Sequence, residues 1–256
     1  MKILIVSDIH ANIDALDAVL GTVSGLYQGL LCLGDSTGYG PDPDECIQKL
    51  KLIQASMEFS VVLAGNHDAV FDGRLPISWF NTGVQHDIER TRRLLSESSL
   101  AWLASTLPVV SLGNGAMAVH GSPLDPLTGY LLGGPETSNS LFQMVSSGIT
   151  LCFCGHTHEV SVFSVGRGSS VVYPVSGESV SVQDGPVIVN PGSVGFPRTF
   201  NKNRRGDIPP GGKKIRASSY PAYFAVWDTE QATVLFQEAL YDRRLMEKRL
   251  KKQQRR

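Results

Sequence analysis

The chain has 256 residues, 42% of them apolar and 18% charged, with a formal net charge of −1. That length and apolar content allow one large core or two small ones. The near-balanced charge gives no overall pull toward nucleic acid or an anionic membrane.

The elements alternate through the first two-thirds of the chain. Ile3 to Val6 is an apolar run with three β-branched residues, and it ends at Asp8. Asn12 is a good N-cap for the helix that follows, with Asp14 and Asp17 where the helix dipole favours acids. Ile13, Leu16, Leu20 and Val23 recur at helical spacing. Leu30 to Leu33 reads as a second strand, closed by Gly34-Asp35. Asp42 as cap and Pro43 at the first helical position open another helix. Ser60 to Leu63 reads as a third strand, ending in Gly65-Asn66-His67-Asp68.

One helical stretch is expected from about Val84 to Leu103. Val109 to Leu112 and Ala116 to Val119 form a hairpin pattern around Asn114-Gly115. Thr137 to Val145 reads as a helix and Thr150 to Cys154 as a strand, ending in Gly155-His156-Thr157-His158. From Val160 to Gln237 the pattern is mostly β, and a last helix begins near Asp242. Such an order fits an α/β domain built on layered sheets, with ligands outside the carboxyl ends of the strands. The expected organisation is one domain over residues 1–242. A basic loop interrupts it at about 201–219, and a basic helix or tail follows at 243–256.

No apolar run approaches the length of a membrane span, and the start is too short in apolar residues for a secretory signal. Cys32, Cys46, Cys152 and Cys154 show no disulfide-framework spacing, so free thiols and a cytoplasmic location are expected.

Metal-binding residue types gather where these strands end. Asp8, His10, Asp35, Asn66, His67, Asp68, His120, His156 and His158 all fall there, including five of the six histidines. One Asp-x-His alone is weak, because histidines often just complete a hydrogen-bond network. Several clusters sharing one architectural position carry the weight. Imidazole, carboxylate and amide donors suit Mn²⁺, Fe²⁺, Zn²⁺ or Ni²⁺ rather than Ca²⁺, and the absence of thiolates argues against a structural zinc.

The segments Asp8-Ile9-His10, Gly34-Asp35, Gly65-Asn66-His67-Asp68, Val119-His120-Gly121 and Gly155-His156-Thr157-His158 resemble, in order, the motifs of the calcineurin-like metallophosphoesterases. Ser7 to Asn12, Gly38-Tyr39-Gly40-Pro41 and Asn190 to Gly195 look like the small stand-alone prokaryotic branch of phosphodiesterases and phosphatases. The resemblance implies an α/β/β/α sandwich of two mixed sheets flanked by helices. It implies one divalent ion on Asp8, His10, Asp35 and His158 and a second on Asp35, Asn66, His120 and His156, with Mn²⁺ the first choice of metal. A metal-bridging hydroxide would then attack a small-molecule phosphate ester: a diester, a monoester or a dinucleoside polyphosphate. His67 becomes the general acid, and Asp68 is expected to fix its tautomer and raise its pKa by hydrogen bonding.

Weaker signals keep two readings. Asn12 caps a helix or touches substrate; Cys154 is a buried small apolar group or approaches the metals. Tyr39 borders the cleft or packs a turn. Arg198 holds a phosphate or forms a surface ion pair. His86 reads as surface or packing. The stretch from Asn201 to Ser219 holds Lys202, Arg204, Arg205, Lys213, Lys214 and Arg216, as either a basic lid or a solvated insertion. The basic C-terminal residues bind an anionic partner or form a solvated helix end. Two other functions compete: a nuclease, which would show salt-sensitive DNA binding, and a scaffold that has lost catalysis, which typically lacks a ligand or the acid histidine.

Overall fold

Alternate residues of the first strand serve two different cores. The computed structural model describes residues 1–165, 169–198 and 219–254. In β1 (Lys2–Val6), Ile3 and Ile5 face a second sheet, while Leu4 and Val6 face helices. Successive strand side chains point to opposite faces, so a strand covered on both sides must be apolar throughout. The same split recurs in β2 (Gly29–Cys32), with Leu31 toward the second sheet and Leu30 and Cys32 toward helices. Between these strands lies α1 (Ile13–Thr22). Asn12 caps it, with its side chain accepting from the Ala15 N–H at 3.2 Å.

The helix α2 (Pro43–Ser56) and strand β3 (Phe59–Val62) complete this half. Asp42 sits at the N-cap of α2 but makes no side-chain cap bond. Its carboxylate instead pairs with Arg249 near the C-terminus, so the expected capping role is replaced by a tertiary one. The expected single helix from Val84 to Leu103 is two: α3 (Thr82–Leu94) and α4 (Glu97–Ser105). Leu95 and Ser96 adopt extended backbone between them. Ser96 caps the second by accepting from the Ser99 N–H, and Asp44 Oδ1 accepts from the Ser96 N–H at 2.9 Å.

The hairpin of β4 (Val109–Gly113) and β5 (Ala116–Val119) turns through Asn114 and Gly115 at φ 49° and 73°. Both values lie in the left-handed region that two-residue turns of this kind require. Then come α5 (Pro135–Ser146), β6 (Leu151–Phe153), β7 (Ser161–Val165), β8 (Ser169–Val172), β9 (Ser179–Ser181) and β10 (Val187–Asn190). The chain ends with the long pair β11 (Ser219–Asp228) and β12 (Thr233–Asp242), then α6 (Arg243–Gln253).

The described strands form two mixed six-stranded sheets, in the orders β3-β2-β1-β11-β12-β9 and β4-β5-β6-β10-β7-β8. They pack face to face through Ile5, Leu31, Phe153, Val189 and Phe236. Cys154, buried beside Cys152, packs with Met144 of α5 on the outer face of the second sheet, as a small apolar group. All four cysteines are free and buried. The result is the expected α/β/β/α sandwich. In it β1, β2 and β3 are mutually parallel, as are β5, β6 and β10. Their carboxyl ends therefore meet at one rim.

Most of the basic stretch at 201–219 lies outside the described residues; Ser219 begins β11. The helix α6 is held down rather than wholly solvated. Met246 is buried, and Arg249 pairs with Asp14 and Asp42 at the N-terminal ends of α1 and α2. Among the described residues, no helix is long and apolar enough to cross a membrane.

Candidate metal centre

The rim loops place their polar residues by means of strained backbone. Asp8, His10, Asp35, His156 and His158 have φ of 53°, 48°, 52°, 65° and 63°. A left-handed conformation costs an L residue about 1–2 kcal/mol. Five such residues in one place mark a site that the surrounding fold over-determines. Glycines allow the close approach: a Cβ on Gly65 would stand 2.0 Å from Asp35 Oδ1, and one on Gly38 2.5 Å from His10 Nδ1.

Three histidines are oriented from behind. Nδ1 of His10 donates to the Thr37 carbonyl at 2.9 Å, that of His120 to Leu33 at 2.7 Å and that of His158 to Phe196 at 2.6 Å. A carbonyl can only accept, so each Nδ1 carries the proton and each Nε2 presents a lone pair. Those lone pairs converge. His10 Nε2 lies 2.9 Å from His158 Nε2, and His120 Nε2 lies 3.0 Å from Asn66 Oδ1. Asp35 Oδ2 stands 3.5 Å from the Nε2 of both His10 and His120, and Asp8 Oδ1 3.5 Å from that of His158. His156 Nε2 is buried with no hydrogen-bond partner among the described residues.

Burial holds these rings neutral, pushing His156 and His158 down to about 3 and His10 and His120 well below the usual imidazole range. Neutral acceptors pointed at one another without protons between them repel. A cation among them turns the same arrangement into coordination. The ligand atoms form two groups, Asp8-His10-Asp35-His158 and Asp35-His120-His156, each within 4.8 Å. Asn66 adjoins the second, and Asp35 belongs to both. The donor set fits two divalent ions, because it is nitrogen and oxygen only and lies within metal-ligating reach.

Metal uptake should depend on pH through the carboxyls. Burial raises Asp8 to about 7, and burial together with Asp68 and Asp8 raises Asp35 well above the usual carboxylate range. A bound cation must displace those protons, whereas the histidines are already neutral and have none to lose. Mn²⁺ affinity is expected to rise by about an order of magnitude or more between about pH 6 and about pH 8. Titration calorimetry in buffers of different ionisation enthalpy would show protons released; affinity independent of pH would contradict this.

His67 and Asp68 lie at the same rim, but not as a pair. The Asp68 carboxylate accepts from the N–H groups of Gly65, Ser36 and Thr37 at 3.1, 3.1 and 3.0 Å and from the Thr37 hydroxyl at 2.8 Å. It braces the Asp35 loop against the Asn66 loop and makes no hydrogen bond to His67. The expected tautomer-fixing contact is therefore absent, because four loop donors already occupy Asp68. His67 donates its backbone N–H to Asp35 Oδ1 at 2.9 Å, while its Nδ1 is buried without a partner. Burial first, then His120 and Arg198, push it down to about 3, the reverse of the expected rise.

Tyr39 and Arg198 both reach the site. The Tyr39 ring lies 4.4 Å from the His10 ring and 4.8 Å from the His67 ring. Arg198 anchors its backbone N–H on the His158 carbonyl at 3.2 Å, and its guanidinium donates to the Tyr39 hydroxyl at 3.4 Å. Asn12 is accounted for by capping and by its bonds to Gly195 and Tyr241, and His86 is exposed on α3. Asn190 and Ser193 brace the site: Asn190 donates to the Gly155 carbonyl at 2.7 Å, and the Ser193 hydroxyl to that of Asp8 at 2.8 Å.

Some site residues give no signal in the sequence. The Tyr130 ring packs against His156 at a tilt of 51° with centroids 4.1 Å apart, from a loop with no metal-binding pattern. Arg90, nearly buried, donates to the Tyr39 and Gly40 carbonyls and so sets the loop that carries Tyr39.

Two packed mixed sheets with an Asp/His/Asn cluster at their shared rim define a metallophosphoesterase sandwich. The chain belongs to the calcineurin-like phosphoesterase superfamily, whose domain model matches residues 1–204. It is 32% identical over 202 residues to an uncharacterized protein of Methanocaldococcus jannaschii, covering 77% of each chain. A metallophosphoesterase from Sphaerobacter thermophilus superposes with a TM-score of 0.77 at 29% identity, over 98% of this chain and 93% of that one. A hypothetical protein from Pyrococcus horikoshii OT3 shares the fold, with a TM-score of 0.73 at 20% identity over 99% and 93% of the two chains.

Proposed function

We propose that the protein is a dinuclear metal-dependent phosphoesterase that hydrolyses a small-molecule phosphate ester. The observation that carries this reading is the convergence of unprotonated Nε2 atoms on two groups that share the Asp35 carboxylate. In this reading Asp8, His10, Asp35 and His158 hold one ion and Asp35, Asn66, His120 and His156 the other, with Mn²⁺ the favoured metal. Bound divalent ions supply Lewis acidity, making water a nucleophile at neutral pH and drawing charge from a phosphoryl group.

The protein's own groups do the rest. Two ligand carboxylates leave a pair of divalent ions with excess positive charge, so the rim attracts a phosphate anion. Arg198 takes non-bridging phosphate oxygens, and Tyr39 holds that guanidinium in place. The walls around His10 and His67 keep bulk water out and strengthen these electrostatic contacts. His67 gives its proton to the departing oxygen. Its Nδ1 is buried beside Gly38 without a partner, so in this reading Nε2 is the atom that carries the transferred proton. Among the described residues no carboxylate supports the protonated ring, so the phosphate anion itself supplies the charge that keeps the proton on His67.

The test is a panel of phosphate mono- and diesters, cyclic nucleotides and dinucleoside polyphosphates, run with Mn²⁺, Ni²⁺ or Mg²⁺ on metal-stripped protein. Hydrolysis should require added metal, vanish with EDTA and return on reloading. Two ions bound per chain with no turnover of any ester would leave a binding module instead.

A further inference from the structure

A cavity of about 570 Å³ opens beside the metal cluster, a size suited to a small-molecule ligand. Tyr39 and Arg198 form the wall nearest the cluster, and Phe196, Tyr220, Arg243 and Leu250 belong to the rest. The lining is unusual for its flat groups. The Tyr39 and Phe196 rings meet edge to face at 5.4 Å, and the Arg243 guanidinium lies 4.8 Å over the Tyr220 ring and 5.9 Å over Phe196. Among the described lining residues the Asp87 carboxylate is paired with Arg90 and the Arg243 guanidinium with Glu247 at 3.1 Å, which leaves Arg198 as the cation without a carboxylate partner among the described residues.

The far wall is α6, and it is tied to the elements that carry the site. Arg249 bonds Asp42 at 2.8 and 2.7 Å and Asp14 at 2.5 Å. Gln253 donates to the Pro41 carbonyl at 2.8 Å. Arg243 and Leu250 are therefore held at a set distance from Tyr39.

We propose that this cavity is a leaving-group subsite that selects esters of planar aromatic alcohols, with Tyr220 and Arg243 as its specificity determinants. The proposal rests on the function proposed above, because only an ester held at the cluster directs its leaving group here. A planar ring gains by stacking on a guanidinium already oriented by Tyr220 and by edge contacts with Tyr39 and Phe196. An alkyl group of similar volume gains area burial but none of these contacts. Arg198, between cluster and cavity, stays with the phosphate oxygens.

The experiment compares naphthyl and fluoroalkyl phosphate esters of matched leaving-group acidity, as mono- and diesters, on the full-length metal-loaded protein. The native chain should favour the naphthyl ester in kcat/KM by about tenfold or more. Tyr220→Leu and Arg243→Gln, each checked for fold and metal content, should bring that ratio close to one, mainly through KM. Hydrolysis of both esters without preference, or a preference unchanged in the variants, overturns the subsite and leaves the proposed hydrolysis standing. Absence of metal-dependent hydrolysis of both esters overturns the subsite, and overturns the proposed hydrolysis as well only if no ester of the panel above is turned over. If one variant fails to fold, the other still decides the outcome.

Discussion

Asp35→Asn is expected to abolish metal-dependent turnover while making the metal-free protein more stable. Both effects come from one buried carboxylate. Its Oδ2 lies 3.5 Å from the Nε2 of His10 and of His120, so it serves both ligand groups. Asn can keep the bond from the His67 N–H through its own oxygen, but it cannot offer a charge to two cations. The electrostatic support lost is several kcal/mol, or about a thousandfold or more in rate. In the metal-free chain the same carboxylate is a liability. Burial, then Asp68 and Asp8, raise its pKa well above the ordinary value, so the folded state must take up a proton or bear a desolvated charge.

The sign follows by linkage. A carboxyl with a raised folded pKa contributes fully below its unfolded value near 4, and that contribution is lost as pH rises. The gain from Asn should therefore be near zero in acid and about 1–3 kcal/mol near neutrality, a few degrees in melting temperature. Adding Mn²⁺ reverses the order, since the native chain gains about 2.7 kcal/mol per site at a hundred times its Kd and the variant does not. Thermal melts with EDTA and with Mn²⁺ at several pH values test this. A variant that is less stable than the native chain in EDTA, or that still turns over, would sink it.

The parts of the site visible in the sequence are those fixed by position along a strand. Asp8, Asp35, Asn66, His120 and His156 each follow a short apolar run, and parallel strands bring their carboxyl ends to one rim. Asn12 was also legible, because a helix cap needs only neighbours in sequence. What escaped depends on partners far along the chain. Asp42 looks like a cap until Arg249 reaches it from more than 200 residues away. Asp68 looks like a partner for the adjacent His67 until the Ser36-Thr37 loop claims both its oxygens. Tyr130 reaches His156 from a loop with no pattern of its own. The break between α3 and α4 was locally signalled, by a Ser cap and an acid in the next position, and the continuous helical periodicity masked it. Where two readings of one residue compete, the local hydrogen bond wins only if no distant group has a stronger claim.

Replacing His67 with Ala should cut turnover by about 10²–10⁴-fold with metal content unchanged. Among the described residues, its ring belongs to neither ligand group, and its contacts are with the rings of His10, Tyr39 and Phe80. Removing it should therefore not release an ion. Burial keeps the ring neutral in the absence of an anion, so in the proposed reaction its proton would arrive with the substrate's charge and depart with the leaving group. That makes the deficit depend on the ester. A leaving group that departs readily as an anion, such as p-nitrophenolate, needs little protonation, and the variant should approach the native rate. A poorly acidic alcohol needs the proton before the bond breaks, and the full loss should appear. A plot of log kcat against leaving-group pKa should be steeper for His67→Ala than for the native chain. Parallel lines would mean that His67 only packs against Tyr39 and Phe80, and loss of one ion per chain would mean that it supports a ligand.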